Sequence, residues 1–150
     1  MIESSFKIYT LRKADHPNEW EVQTLVQLHE TIDLLSQRFY GSPILLMISC
    51  VTGRIQYGVG AEYTSIHIFP LGSNKSFRAR PLQTDFVPDQ IEFTYSGEWT
   101  GVDRRFLVSA EKGKRALDAW LLKQELVAEI DWATAPFPPG RRMVPRPRGP

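Results

Sequence analysis

Residues 43–69 read PILLMISCVTGRIQYGVGAEYTSIHIF, and this stretch decides the fold. An apolar run of strand length opens it. Thr52 and Gly53 supply turn chemistry, and residues 54–59 follow with alternating character, which predicts a β-hairpin. A third run, residues 63–69, alternates again, so the three runs together predict an antiparallel meander.

One face of this meander needs a cover. In the third run Ile66 and Ile68 point to one side, whereas Ser65, His67 and Phe69 point to the other. An uncovered apolar sheet would expose a larger patch than soluble monomers tolerate. We therefore expect the helices that flank the meander in sequence to cover it.

The first of these helices begins after Thr24. Gln27 lies three residues later, which is the spacing of a capping box. Apolar residues then recur at steps of three and four, as on one face of a helix. They are Leu25, Leu28, Ile32, Leu35 and Phe39.

The second helix is predicted from its N-cap residue Ser109 to about Gln124. Its apolar face consists of Ala116, Leu117, Trp120 and Leu121. Shorter strands are predicted at residues 6–11, 20–23, 76–80, 91–95, 105–108 and 127–132. This order of elements predicts the α+β class, with an antiparallel β-sheet (meander core) covered by two helices.

The chain has 150 residues, enough for one domain with a substantial core. We predict a single α+β domain over residues 1–134. Residues 135–150 combine arginine with proline and glycine, cannot bury enough apolar surface to fold, and are predicted to be a disordered tail.

Charge is distributed unevenly along the chain. Up to Asp131 there are 17 acidic and 14 basic residues, a net charge of −3, and four arginines follow. A mildly acidic body disfavours direct binding of nucleic acid and favours a basic protein partner.

The sequence also bears on the compartment. Its single cysteine, Cys50, excludes an internal disulfide framework and favours a reducing environment. No apolar run approaches the roughly 20 residues that span a bilayer. The first residues lack the basic and apolar regions of a signal peptide. We therefore expect a cytoplasmic protein that does not contact a membrane.

Few residues are arranged for catalysis. His16, His29 and His67 have no metal-ligand spacing, and no HExxH or CxxC motif occurs. The single cysteine has apolar neighbours, as expected of an inert thiol. Gly58 and Gly60 lack the third glycine and the following helix of a phosphate-binding loop, so close strand packing or a bulge explains them better. We expect no catalytic residue, no cofactor and no metal.

The segment SGEWTG at residues 96–101 is predicted to be an exposed loop with Trp99 in its middle. One interpretation is that Trp99 folds back and caps the core. The other is an interface anchor, because tryptophan is enriched at binding hot spots and the carboxylates of Glu98 and Asp103 would pair with a cationic partner. Trp120 and Trp132 lie on periodic faces and are expected to pack in the core.

Several motifs occur in an order that resembles a known family. They are WEVQT at residues 20–24, LLMI at 45–48, GRIQYGVG at 53–60, YSGEW at 95–99, LVSAE at 107–111 and EIDW at 129–132. Together they resemble the immunity proteins of bacterial polymorphic toxin systems, in particular the immunity family numbered one. That family is common in actinobacteria and is often encoded beside deaminase-type toxins.

The resemblance implies a non-catalytic antitoxin that binds a cognate toxin domain and blocks its active site. The toxin would be a deaminase directed at nucleic acid or nucleotides, and its basic site would suit an acidic inhibitor. We place the toxin interface at Glu98, Trp99 and Asp103, with Glu62 and Tyr63 from the loop of the meander.

Two alternatives remain at this stage. One is a non-catalytic adaptor or structural domain that uses the same sheet face for a different protein partner. The other is a small hydrolase or transferase that uses His67 or Cys50. A pocket that holds His67 beside a carboxylate at hydrogen-bond distance would favour the enzyme.

Overall fold

The computed structural model describes residues 6–10, 18–95 and 98–136. The helices are α1 (Leu25–Arg38) and α2 (Ala110–Lys123), with a short 3-10 turn at Arg104–Phe106. The strands are β1 (Phe6–Thr10), β2 (Asn18–Val22), β3 (Ile44–Cys50), β4 (Gly53–Val59), β5 (Tyr63–Thr64), β6 (Ile66–Pro70), β7 (Lys75–Arg80), β8 (Gln90–Tyr95), β9 (Glu98–Asp103), β10 (Val108–Ser109) and β11 (Asp131–Pro136). The α+β class is confirmed.

The main sheet is ordered β11-β7-β6-β4-β3-β1-β2, and the pairs along this path are antiparallel. The predicted meander forms its centre, where Ile48 of β3 lies opposite Ile55 of β4 and Ile55 lies opposite Ile68 of β6. Gly53 turns the first hairpin with a φ of +138°. A side chain there would overlap the carbonyl of Phe69, so the turn requires glycine.

The third run of the meander is interrupted, and the prediction of one continuous strand is wrong at Ser65. Thr64 donates its hydroxyl to the Gly58 carbonyl at 2.7 Å, and the Gly58 amide lies 3.1 Å from both the Thr64 hydroxyl and the Ser65 carbonyl. These bonds pull the chain out of the ladder. As a result β5 pairs with β10 in a separate two-stranded sheet, whereas β6 stays in the main sheet.

The helix α1 begins as its sequence predicts. Thr24 accepts a hydrogen bond from the Gln27 amide at 3.1 Å, and the Gln27 side chain accepts from the Thr24 amide at 3.3 Å, which completes the capping box. Leu28, Ile32 and Leu35 are buried. The amphipathic pattern therefore identified the face of α1 that packs on the core.

The helix α2 also follows its prediction. The hydroxyl of Ser109 accepts from the Lys112 amide at 3.2 Å, and Gln124 ends the helix in the left-handed conformation with a φ of +51°. Ala116, Leu117 and Trp120 are buried. The N-cap, the length and the buried face of α2 are confirmed.

Both helices cover the same face of the sheet. Leu28 and Leu35 of α1 and Leu117 of α2 belong to one core cluster with the sheet residues Ile44, Leu46, Ile48, Ile55, Tyr57, Val59, Ile66, Ile68 and Ala79. His29 of α1 reaches across to α2, where its Nε2 lies 2.7 Å from Oδ1 of Asp118. The predicted cover of the meander is confirmed.

A second core lies on the opposite face. It consists of Leu45, Val87, Phe93, Tyr95, Val102 and Leu107. The β8–β9 hairpin supplies half of it, and Phe93 packs so closely on Gly58 that an added Cβ at Gly58 would lie 2.5 Å from its ring. The unbroken apolar run of β3 is the signal for burial on both faces, which the single-sided meander prediction missed.

Two predicted strands differ near the end of the chain. Residues 105–108 were expected to be extended, but Asp103 caps a 3-10 turn and only Val108–Ser109 pairs as a strand. The closing strand, predicted at residues 127–132, begins only at Asp131, because a turn joins α2 to it. β11 continues to Pro136, two residues into the predicted tail, and residues 137–150 lie outside the described part.

Among the described residues, no helix is both long enough and apolar enough to cross a membrane.

Candidate partner-binding surface

The predicted aromatic loop is largely a strand. Trp99 lies within β9, directly opposite Thr94 of β8, and the ladder continues to the pair Gln90 and Asp103. The prediction of a loop is wrong for residues 98–101, and residues 96–97 lie outside the described part. Thr100 and Val102 supply the inward positions of the strand, and the Gln90 side chain lies across Gly101. Gly101 is therefore the position where the Gln90 side chain crosses the strand, and it does not form a turn.

Trp99 is 62% exposed, so the interpretation that it caps the core is wrong. Its cross-strand partner Thr94 pairs with Ile44 of β3, whose side chain belongs to the helix-side core. Trp99 therefore lies on the face of the sheet that carries the helices, but the helices do not cover it. An exposed indole held by a paired strand is a preorganised apolar contact point.

Glu98 does not accompany Trp99. Side chains alternate along a strand, so Glu98 and Trp99 point to opposite faces of β9. Glu92, which is exposed and lies opposite Gly101, is the nearer of two acidic residues on the same face as Trp99, and the other is Asp103 at the end of β9. This pairing was not found from the sequence, although the alternation of residues 90–95 could have indicated it.

Asp103 lies at the far end of β9, about 13 Å along the strand from Trp99. It accepts from the Arg105 amide at 2.9 Å and from the Arg105 Nε at 3.0 Å. The amide bond first, and the side-chain bond second, lower the pKa of this carboxyl below its usual range. The structure thus shows Asp103 capping the 3-10 turn.

Glu62 and Tyr63 have different environments. Glu62 is exposed, and its carbonyl accepts from the Ala110 amide at 2.9 Å, which ties it to the start of α2. Tyr63 is half-buried and packs against the second core. Of the five residues predicted for the toxin interface, Glu62, Glu98, Trp99 and Asp103 are exposed, and on β9 only Trp99 and Asp103 share a face.

A second exposed aromatic residue lies near Trp99. Tyr40, just after α1, is 68% exposed and lines a cleft of about 360 Å³ with Ser36, Gln37, Gly60 and Ala61. Three residues later, the Pro43 carbonyl accepts from the Thr94 amide at 2.9 Å. Because two strand spacings separate Trp99 from Pro43, their backbones are about 10 Å apart. The sequence feature that could have indicated the exposure of Tyr40 is its position outside the apolar stripe of α1.

We call this end of the molecule the Trp99 surface. It consists of Tyr40, Glu62, Glu92, Thr94 and Trp99. It combines two exposed aromatic side chains with two exposed carboxylates, and strand pairing fixes the backbone of Glu92, Thr94 and Trp99. Such a surface can bind a protein that presents an apolar pocket within a basic rim.

The residues considered for catalysis are separated. His67 of β6 lies with its Nε2 2.9 Å from the Ser76 hydroxyl, and its ring stacks on Phe69 at 4.2 Å. Burial, and then the charge of Arg78, lower the pKa of His67 to about 4. Among the residues that the structure describes, no carboxylate contacts His67. The arrangement on which the enzyme alternative depends is therefore not found in this part of the chain.

Cys50 and the remaining histidines do not join His67. Cys50 is half-buried, and its sulfur contacts the Thr52 hydroxyl at 3.1 Å. His29 pairs with Asp118 between the helices, and His16 lies outside the described residues. Within residues 6–10, 18–95 and 98–136, no group of three or more potential ligand side chains could hold a metal ion.

The small residues and the other tryptophans have structural roles. Gly58 lies under Phe93, as expected for close packing, and Gly60 has a φ of +99° beside the Phe39 carbonyl. Trp120 is buried, and Trp132 is half-buried and donates its Nε1 to the Val127 carbonyl at 3.0 Å. These assignments are confirmed.

Comparison with known proteins identifies no relative, because no family model matches the chain and no curated protein matches it significantly.

Proposed function

We propose that the protein is a non-catalytic immunity protein of a bacterial toxin system, which acts in the cytoplasm without a cofactor. In this proposal it binds a cognate toxin domain, a deaminase directed at nucleic acid or nucleotides, and covers its active site. The ordered motifs between residues 20 and 132 supply the class. The exposure of Trp99 on a rigid hairpin is the observation that carries the mode of action.

Trp99 suits the role of an anchor. Hot-spot residues are large side chains that enter a pocket on the partner and lose little conformational freedom when they do so. Trp99 is 62% exposed, and its backbone is already ordered by pairing with Thr94. Binding would therefore bury the indole without ordering a loop.

Charge supports the same surface. Glu92 is exposed on the hairpin of Trp99 and Glu62 is exposed just before β5, within a body whose net charge up to Asp131 is −3. A toxin domain that handles nucleic acid presents a basic site, and opposite fields accelerate association. Fast capture matters because the toxin is active as soon as it is made.

The other residues predicted for the interface keep narrower roles in this proposal. Asp103 orders the 3-10 turn through Arg105, and Tyr63 supports the second core, so both act by holding the hairpin in place. Glu98 would contact a partner only if that partner wraps around the opposite face of β9.

The experiment is co-expression with the toxin domain encoded by the neighbouring gene. We expect growth to be restored and the two proteins to purify together as a stable complex. An adaptor domain with the same exposed tryptophan would leave the cells unprotected. Growth arrest that is identical with and without this protein would contradict the proposal.

A further inference from the structure

A group of arginines meets on the sheet face opposite the helices. Arg78 and Arg80 project from β7 at alternate positions, about 7 Å apart along the strand. Arg105 approaches from the 3-10 turn. The guanidinium carbon of Arg78 lies 3.9 Å from the centre of the Phe106 ring, and that of Arg105 lies 5.5 Å from it. One aromatic ring thus contacts two guanidinium groups.

Two of these arginines have buried donors that lack a partner. The Nε atoms of Arg78 and Arg80 are inaccessible to solvent and make no hydrogen bond to any residue in the described part of the chain. Burial, and then the nearby charge of Arg105, lower the pKa of Arg78. Buried donors without a hydrogen-bond partner are costly and uncommon. Two of them on the same strand therefore point to a missing acceptor.

The charge of this group is not fully compensated. Arg80 pairs with Asp131 at 3.1 Å, Arg104 with Asp89 at 3.4 Å and Arg105 with Asp103 at 3.0 Å. These pairs are exposed, so they are weak and can exchange for another anion. Within the ranges that the structure describes, Arg78 pairs with no carboxylate, and one positive charge remains.

Beside the arginines lies an open cleft of about 270 Å³. It is lined by Arg80, Pro81, Leu82, Gln83, Asp85, Val87, Arg104, Arg105 and Asp131. The negative charge of Asp85 does not repel an anion there, because its Oδ2 accepts hydrogen bonds from the Lys112 ammonium at 2.7 Å and the Leu82 amide at 3.2 Å. The cleft therefore presents three arginines, one of them paired with Asp131, beside the apolar side chains of Pro81, Leu82 and Val87.

We propose that this cleft binds a phosphate group, either free or as the monoester of a small molecule. Planar guanidinium groups bind phosphate oxygens through two parallel hydrogen bonds, and Arg80, Arg104 and Arg105 line the cleft, with Arg105 also beside the Phe106 ring. The side chains of Pro81, Leu82 and Val87 would contact the organic part of an ester. The site lies on the opposite face of the sheet from the Trp99 surface and does not depend on the proposed function.

Isothermal titration calorimetry and the Nε–Hε signals of the arginines test this site. Inorganic phosphate should give saturable shifts of the Arg80 and Arg105 signals. Phenyl phosphate should bind at least threefold more tightly if the apolar wall takes part, and equal affinity assigns the site to free phosphate. Acetate and sodium chloride at the same ionic strength should give no saturable shift. Saturation by acetate at the same concentration would assign the site to carboxylates and overturn the proposal.

Variants locate the ligand. Arg105→Gln and Arg80→Met should each weaken phosphate binding at least tenfold. Arg38→Gln, which removes an exposed charge at the end of α1, should leave it unchanged. Arg80→Met keeps the aliphatic part of the side chain, and Arg80→Lys keeps the charge without the fork, so circular dichroism of both variants controls for folding. Absence of saturable binding to the unaltered protein, or equal binding by Arg105→Gln, would overturn the proposal.

Discussion

Glu98 and Trp99 are neighbours in sequence and point to opposite faces of β9. Glu92, across the hairpin, is the nearer of the two acidic side chains that share a face with Trp99, and Asp103 is the other. The geometry therefore separates two roles that the sequence had joined, and it makes the contribution of each carboxylate measurable.

The association rate with the toxin domain should depend on Glu92 more than on Glu98. Glu92→Lys places a repulsive charge beside Trp99 and should slow association about threefold to tenfold at low salt. Glu98→Lys makes the same change of charge on the other face and should have a smaller effect. Stopped-flow fluorescence of Trp99 provides the measurement, and a larger effect from Glu98→Lys would place the partner on the wrong face for this account.

Stability should fall on mild acidification because of His67. The pKa of its imidazole is about 4 in the folded protein against 6.5 in the unfolded chain. Between these pH values the unfolded chain binds a proton that the folded protein does not, so the stability present above pH 6.5 is lost as the pH falls to 4. The loss from this residue should be about 2 to 3 kcal/mol.

Urea unfolding at several pH values measures this loss. His67→Gln keeps a polar contact for the Ser76 hydroxyl and should flatten the pH dependence in that window. The carboxyls of Asp85, Asp103 and Glu129 have lowered pKa values, so their contributions fall at lower pH. An unchanged slope in His67→Gln would show that another group is responsible.

The second core should tolerate no side chain at Gly58. Gly58→Ala would push its Cβ into the Phe93 ring, and we expect a loss of about 1 to 3 kcal/mol of unfolding free energy. Phe93→Leu creates space at the same point, so the double variant should lose less than the sum of the two single variants. Additive losses in chemical unfolding would mean that the two residues do not meet.

The sequence was most informative where structure depends on near neighbours. The capping box at Thr24, the N-cap at Ser109 and the apolar stripes of both helices follow from spacing within a turn or two, and all are confirmed. The strands of the meander were also identified. Such patterns are read from residues that are close in sequence.

What was missed depends on contacts that are distant in sequence. The second core forms because Phe93 reaches Gly58 and β8 joins β3 at Ile44, and neither contact leaves a local pattern. Gly101 was interpreted as loop punctuation, although Gln90 crosses it within a strand. The arginines of β7 alternated as expected, but the 3-10 turn that brings Arg105 to them was predicted as a strand.

The affinity of the toxin domain for Trp99→Ala tests the central claim most directly. The matched control is Leu122→Ala, since Leu122 is 64% exposed and lies about 18 Å along α2 from the amide that binds Glu62. Calorimetry with correctly folded variants should show at least about 30-fold weaker binding for Trp99→Ala and less than about threefold for Leu122→Ala. Equal affinities for Trp99→Ala and the unaltered protein would contradict the account.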